Sequence, residues 1–395
     1  MTNEEFIHEN RQQDPKLLAL KKCPEGVDLK FCLQQIEGWQ TARRKIPRWS
    51  EVPGVLFPPR ISMEQCSSQQ TAEYKRCVAE RLLPEGKHRS FVDLTGGFGI
   101  DFSFLSTAFE ASSYVEAQPH LCEIARENFR CLGLKGVHVV CGSAETFDIP
   151  NDTDLVYLDP ARRDADGHKV VALEDCSPNL VAMQDVLLSS AGMVMVKLSP
   201  MLDISEALRQ LKHVCEVHVV AVDGECKELL FVLDAKRSDV TVFCVELSAG
   251  GECFTCAQSE CRMLPEIVPE TETLVGGYLH EPDASVLKAH AQEPLARECG
   301  VRKLHPQSNL YFSCEPLKAH ERLYRSFQIE AMSGFAKKEL QELLNGLGQA
   351  NITIRNFPGT VAELRKRLRL REGGNAYLFA TTLSGGNKVL LRCVK

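Results

Sequence analysis

From about residue 88 the chain repeats one unit, a short apolar run followed by a helical stretch, and this rhythm constrains the fold more than any other feature. The apolar runs are Phe91-Val92-Asp93-Leu94, Tyr114-Val115-Glu116, Val137-His138-Val139-Val140, Leu155-Val156-Tyr157-Leu158-Asp159, Met193-Val194-Met195-Val196, Val217-His218-Val219-Val220 and Leu229-Leu230-Phe231-Val232-Leu233. Runs of this length fit strands buried on both faces. Helical segments fall between them, among them 119–132, 179–189 and 204–211. Such alternation predicts a doubly wound, mostly parallel sheet. The last two runs are separated only by Asp223-Gly224-Glu225-Cys226. That link is too short for a crossover helix, so the final strand must run antiparallel.

The rest of the chain differs in texture. Residues 1–87 read as helical, with one helix from Asp28 to Trp39 and another from Met63 to Leu83, interrupted by Pro53-Gly54 and Phe57-Pro58-Pro59. Residues 236–324 read as a middle α+β region, for which a ferredoxin-like arrangement is one candidate. It holds a hairpin around 248–251, and a helix from the N-cap Asp283 to Glu298 with Gly300 beyond its end. Residues 325–395 read as a small α/β module. Its helices are expected over 337–347 and from the cap Thr360 through Leu370, with Glu363 completing a capping box. The expected domains are therefore 1–87, 88–235, 236–324 and 325–395.

Composition excludes several classes. With 395 residues, 44% hydrophobic and 25% charged, the chain has ordinary globular usage. No run approaches the roughly 18 apolar residues of a membrane helix. The acidic start Met1-Thr2-Asn3-Glu4-Glu5 lacks an apolar signal core, so a cytoplasmic protein with no membrane partner is expected. The 17 cysteines then read as reduced, mostly buried apolar groups. Cys253-Phe254-Thr255-Cys256 with Cys261 has no second pair to complete a zinc site, and no metal is expected. The net charge of −7 is uneven: residues 325–395 hold 12 Lys+Arg against 5 Asp+Glu. A basic end on an acidic chain suggests a nucleic-acid contact, the alternative being an ordinary solvated surface.

The chemistry concentrates in Val92-Asp93-Leu94-Thr95-Gly96-Gly97-Phe98-Gly99-Ile100-Asp101, an apolar strand that ends in a glycine-rich turn and opens a helix. Glycines there let backbone N–H groups approach a ligand at the carboxyl end of a parallel sheet. The pattern is neither the P-loop nor the dinucleotide fingerprint. Asp93, beside the glycines, would repel a pyrophosphate but welcome a cationic ligand. Glu116, at the tip of the next strand, can accept both hydroxyls of a ribose. Together these residues suit S-adenosylmethionine, with its sulfonium and ammonium groups.

On those residues the segment 90–234 resembles the class I S-adenosylmethionine-dependent methyltransferases, a Rossmann-like fold whose sheet has the same antiparallel last strand. The resemblance implies that Asp93, Thr95, Gly96, Gly97 and Gly99 form the first cofactor motif and that Glu116 holds the ribose. Gly142-Ser143-Ala144-Glu145 matches the adenine motif, with Ser143 where an Asp is common and the Ala144 N–H able to donate. Leu158-Asp159-Pro160-Ala161-Arg162-Arg163 matches the motif at which methyl group and acceptor meet. It is closest to the 5-methyluridine RNA methyltransferases. Their nucleophilic cysteine is missing, because Leu198 stands at its place in Lys197-Leu198-Ser199-Pro200. A nitrogen acceptor would not need it. Asp159 is the candidate proton acceptor, Pro160 and Arg162 complete the catalytic motif, and Arg162 and Arg163 are candidates for holding the substrate. Gln65, Ser68 and Thr71 are candidates for a lid over the cofactor.

Two further stretches widen the resemblance. The module carrying Leu364-Arg365-Lys366-Arg367-Leu368-Arg369, together with Tyr278-Leu279-His280-Glu281-Pro282-Asp283, is similar to a Bacteroidetes-type family of methyltransferases with a THUMP-like domain. By analogy with true THUMP domains, Arg365, Lys366 and Arg369 would contact RNA. The expectation is therefore an RNA methyltransferase acting on tRNA or rRNA. The alternatives are a methyltransferase of a protein or small metabolite, and a non-catalytic RNA-binding protein that keeps the cofactor pocket.

Overall fold

The computed structural model describes residues 1–84, 88–161 and 173–395. The chain divides into two compact units, 1–215 with 230–238 and 216–229 with 239–395, the division passing through a hairpin. The first sheet contains β1 (Ser90–Asp93), β2 (Ala111–Glu116), β3 (Val137–Cys141), β4 (Thr153–Leu158), β5 (Ala191–Leu198), β6 (Val214–Val222), β7 (Glu225–Leu233), β8 (Thr241–Glu246) and β9 (Glu252–Ala257). Its order is β3-β2-β1-β4-β5-β7-β6-β8-β9. Strands β3, β2, β1, β4 and β5 pair in parallel. β7 returns from β6 through Asp223-Gly224, so it runs antiparallel to β6, as the short link requires. This is the doubly wound, mostly parallel α/β sheet that the strand–helix alternation predicts.

The reversal of strand order at β1 and β4 opens a crevice at the carboxyl ends of the strands. β4 is buried at all six positions, which explains its unbroken apolar reading. Phe91, Phe102, Tyr114, Phe129 and Tyr157 form the centre of the core in this unit, joined by Trp49 and Phe57 from the N-terminal helices.

Those helices differ from the expectation in two ways. The first runs Leu29–Lys45, longer than its apolar spacing indicates, because Asp28 caps its start and Arg43, Arg44 and Lys45 suit its last turn. The second expected helix is two, Arg60–Gln65 and Gln69–Leu82. Cys66 turns extended between them, and Ser68 caps the second by accepting the Thr71 N–H at 3.3 Å.

The second unit contains β10 (Tyr278–Pro282), β11 (Arg302–Lys303), β12 (Tyr311–Ser313), β13 (Tyr324–Ser333), β14 (Asn351–Ile354), β15 (Tyr377–Thr382) and β16 (Lys388–Val394), in the order β11-β12-β10-β13-β16-β15-β14. Period-two alternation splits β16 between two cores. Val389, Leu391 and Cys393 join Leu279, Phe327 and Phe379, while Leu390 joins Leu364 and Leu368 of the helix Val361–Leu368. The expected helix 283–298 is broken: Ala284–Ala289 and Gln292–Cys299 are separated by His290 at φ +56°. The last helix stops at Leu368, two residues short of the expectation, with Arg369 left-handed at its C-cap. Cys253 is exposed and Cys256 buried on β9, and Cys256 Sγ lies 3.8 Å from Cys261 Sγ. Among the described residues, no helix is long and apolar enough to cross a membrane.

Candidate active site

The glycine-rich turn is seated on aromatic rings. After β1, the Leu94 N–H donates to Tyr157 O at 3.0 Å and the Gly96 N–H to Val115 O at 2.9 Å. A Cβ on Gly96 would lie 2.2 Å from the Tyr114 ring, and one on Gly99, at φ +87°, 2.8 Å from the Phe129 ring. Two of the three glycines are thus demanded by packing beneath the turn. Gly97 shares the positive φ, at +55°, but a Cβ there would meet nothing closer than 3.7 Å. The Tyr114 hydroxyl donates to Gly97 O at 2.5 Å, and the Gly97 N–H donates to Glu116 Oε2 at 2.8 Å. Glu116 Oε1 accepts the Gln118 N–H, also at 2.8 Å. One backbone donor on each oxygen fixes this carboxylate and leaves each oxygen a second lone pair.

A cavity of about 440 Å³ opens above this turn, within the size range of small-ligand sites. Asp93, Thr95, Gly96, Gly97, Gly99, Glu116, Ser143, Ala144 and Asp159 all line it, so the structure brings together the expected cofactor residues. Asp93 is 1% exposed and accepts the Thr95 N–H at 2.9 Å. Burial, reinforced by the neighbouring carboxylates of Asp101, Asp159 and Glu116, pushes its carboxyl well above the usual range against that hydrogen bond. A ligand bringing positive charge would relieve the crowding. The residues therefore fit S-adenosylmethionine: fixed lone pairs for a ribose, a buried carboxyl for a cation, and the Ala144 N–H beside Ser143 on the adenine side.

The wall at Ser143 holds a residue beyond the expectation. Ser143 Oγ is engaged with the Glu145 carboxylate, and Glu145 also lines the cavity. A carboxylate thus stands beside Ser143, two residues later in Gly-Ser-Ala-Glu.

The opposite end is more heavily furnished than the sequence indicates. The Asp159 N–H donates to Thr95 Oγ1 at 2.6 Å, and Thr95 Oγ1 lies 3.4 Å from Asp93 Oδ1, so one hydroxyl ties the two motifs together. The Asp159 carboxylate is bonded to Lys197 Nζ, near the end of β5. Beside it Asp101 Oδ2 accepts from the hydroxyls of Ser67 and Tyr157, both at 2.7 Å. Lys75, with a fully buried side chain, approaches Asp101 Oδ1 at 3.2 Å as an ion pair without hydrogen-bond alignment. Burial works to raise the Asp101 carboxyl, but Lys75, Lys197 and the two hydroxyls outweigh it and hold the group below the usual range.

Sequence reading misses this network because its members lie far apart along the chain. The one local signal is a lysine at an inward position of the helix Gln69–Leu82. Gln65 lines the cavity, with Cys66 and Ser67 from the break between the two helices. Ser68 and Thr71 instead bond each other at the helix start and do not line it. Pro160 is buried and is not part of the wall. Arg162 and Arg163 lie outside the described residues.

In the second unit the basic cluster separates. Arg365 is half-buried and donates to Ala350 O at 3.1 Å, and Arg367 donates to Phe335 O at 3.0 Å over the Phe335 ring. Lys366 and Arg369 are exposed.

Strand order and crevice together define the class I methyltransferase architecture. Residues 324–395 match the family model described as THUMP domain-like, and residues 278–319 match a ferredoxin-like domain model. Over its whole length the chain is similar to the crystal structure of a candidate methyltransferase from Porphyromonas gingivalis W83, at 33% identity and a TM-score of 0.85, covering 97% of that chain. The chain belongs to this family of methyltransferases with a THUMP-like domain. More distant likenesses include a candidate class I S-adenosylmethionine-dependent methyltransferase from Listeria monocytogenes (11% identity, TM-score 0.38, 49% of this chain and 68% of that one). Another is the Pyrococcus abyssi tRNA (uracil-54, C5)-methyltransferase in complex with S-adenosyl-L-homocysteine (17% identity, TM-score 0.32, 42% of this chain and 39% of that one). No curated protein matches the sequence.

Proposed function

We propose that this protein is an S-adenosylmethionine-dependent methyltransferase whose acceptor is RNA. The observation that carries the donor half is the Glu116 carboxylate, fixed by the N–H groups of Gly97 and Gln118 beside the buried Asp93. When bound, the donor supplies a methyl group on a sulfonium. Asp93 faces its cationic end, Glu116 accepts its ribose hydroxyls, and Ala144 N–H with Glu145 hydrogen-bonds adenine. Asp159 stands where the acceptor enters, tied through Thr95 to the donor side.

The RNA half rests on the basic C-terminal module. Lys366 and Arg369 are the exposed cations that suit phosphate contacts, while Arg365 braces its own fold through Ala350. Arg162 and Arg163 remain proposed substrate contacts.

Calorimetric titration with S-adenosylhomocysteine tests the donor half. One-site saturation is expected, and no heat or shift in melting temperature would overturn it. For the acceptor half, the double variant Lys366→Glu/Arg369→Glu is compared with wild type for binding of total tRNA and rRNA across a salt series. The slope of log affinity against log salt should flatten by roughly 1.5–2, the share of two phosphate contacts. An unchanged slope and affinity would defeat the docking role.

A further inference from the structure

We propose that Lys197 and Asp159 act together as an ammonium–carboxylate dyad at the acceptor end, and that the acceptor they serve is a hydroxyl, on the RNA reading a ribose hydroxyl. The inference rests on the methyl-transfer reading above and names its acceptor chemistry.

β5 reads Ala-Gly-Met-Val-Met-Val-Lys-Leu and lies inside the sheet between β4 and β7. Met193 to Val196 and Leu198 are buried, and the Lys197 side chain is only 14% exposed. An ammonium in such a strand is costly unless it is paired. Its partner is Asp159, itself 38% exposed on the cavity wall, and the field of Lys197 also reaches Asp101. Lys197 and Leu198 face opposite sides of β5, so Leu198 packs one face while Lys197 turns to Asp159 on the other.

The charge change during transfer separates two kinds of acceptor. A neutral amine gains positive charge as it takes a methyl group, and a nearby ammonium opposes that gain. A hydroxyl is a poor nucleophile until its proton leaves, and the alkoxide character it then acquires is stabilised by an ammonium. Asp159 and Lys197 offer both requirements at one place. The hydroxyl proton passes to Asp159, on the oxygen turned away from Lys197, while the Lys197 ammonium steadies the oxygen left behind. The new oxygen–carbon bond forms as the bond from methyl carbon to sulfur breaks, its electron pair staying on sulfur. The products are a methyl ether, a thioether and a proton on Asp159 that returns to solvent.

The test incubates the full-length protein with S-adenosylmethionine carrying a deuterated methyl group and total RNA from a strain lacking the gene. The RNA is digested to nucleosides, and tandem mass spectrometry assigns the label to ribose or base. Label on the ribose fragment is expected. Label on a base overturns the hydroxyl acceptor while leaving the methyltransferase reading intact, and no label on any nucleoside overturns it together with the RNA reading. Failure of wild type to bind S-adenosylhomocysteine is a separate result that removes the donor reading itself. Lys197→Met should lower incorporation about a hundredfold with S-adenosylhomocysteine affinity held within about twofold, and Lys197→Arg should recover part of the loss and shift the pH–rate profile. A Lys197→Met protein that binds the ligand and transfers at the wild-type rate overturns the dyad.

Discussion

At one end of the cavity Asp93 and Glu116 are held by backbone N–H groups and by Thr95. At the other end Asp101 and Asp159 are each matched with a lysine. Both ends are acidic, yet of these four carboxylates only Asp101 and Asp159 have lysine partners among the described residues. Asp93 and Glu116 are bonded by backbone N–H groups, an arrangement that suits a cationic ligand. The end proposed for the acceptor carries two carboxylate–ammonium pairs, which suits a polar group that arrives uncharged. The difference teaches that a cluster of carboxylates is informative only once its counter-charges are located.

Removing one counter-charge should give the largest effect. Lys75→Met leaves Asp101 buried against Ser67 and Tyr157 without its ammonium, and breaking such a pair costs roughly 3–5 kcal/mol. Denaturant unfolding should report a loss of that order in the first unit, and Lys75→Met/Asp101→Leu should recover much of it. Stability unchanged in the single variant would mean that the pairing at this end is incidental.

At the glycine turn, the three glycines separate packing from ligand approach. Gly96→Ala drives a methyl group into the Tyr114 ring and should destabilise by about 1–3 kcal/mol. Gly97→Ala meets no atom within 3.7 Å and bears only the cost of a left-handed backbone, about 1–2 kcal/mol. The sharper readout is ligand affinity at matched stability. Gly97→Ala should impair S-adenosylhomocysteine binding, because an alanine strained at positive φ shifts the backbone that aims this N–H at Glu116. If only Gly96→Ala does so, the turn recognises its ligand through Tyr114 packing instead.

These ends were not equally legible in the sequence. The glycine turn can be read because its parts are contiguous or separated by one strand–helix step: Asp93, Gly96, Gly97 and Gly99 in one run, Glu116 at the next strand tip. The sequence conveys that glycines are needed but not why, since Tyr114 and Phe129 lie on later elements. The strands up to β7 are equally readable, because so short a link permits only an antiparallel return; β8 and β9, expected in a separate middle region, instead extend the same sheet beyond β6. The acceptor end is assembled from the helix Gln69–Leu82, the loop at Ser67, the helix Ile100–Leu105, β4 and β5. No spacing rule connects those elements. Lys197 directly precedes Leu198, the residue at the cysteine's place in the motif, and carries no signal until β5 is seen beside β4. Helix ends were the other weak point: Cys66 and His290 break apolar periodicities that look continuous, and only backbone geometry reveals it.

Asp93 provides a pH test of the glycine-turn end. Burial raises its carboxyl above the unfolded value, so the folded protein holds the proton more tightly and Asp93 contributes stability that fades as pH rises through the raised pKa. A cationic ligand favours the ionised form. Binding should therefore expel a proton and strengthen as pH rises through the window above the usual carboxylate range, then level off once Asp93 is ionised. Calorimetry in buffers of different ionisation enthalpy measures the released proton directly. Asp93→Asn should abolish both the release and the pH dependence; release that persists in Asp93→Asn would assign the proton to another group.

The smallest expected effects lie on the adenine side, where the comparison between the two ends can be pressed to a single pair of residues. Ser143 occupies the position of the usual acid, but its hydroxyl is engaged with Glu145, whose carboxylate lines the cavity. Glu145 is exposed, so a hydrogen bond from an adenine amine competes with water and contributes modestly. Glu145→Ala should weaken S-adenosylhomocysteine binding by about three- to tenfold. Ser143→Ala removes only the group that steadies Glu145 and should cost about twofold or less. An added Glu145→Ala change should then bring the double variant to the level of Glu145→Ala alone, because Ser143 acts through that carboxylate. Fully additive losses would show instead that Ser143 meets the ligand itself, which would restore the role its place in the motif first suggested.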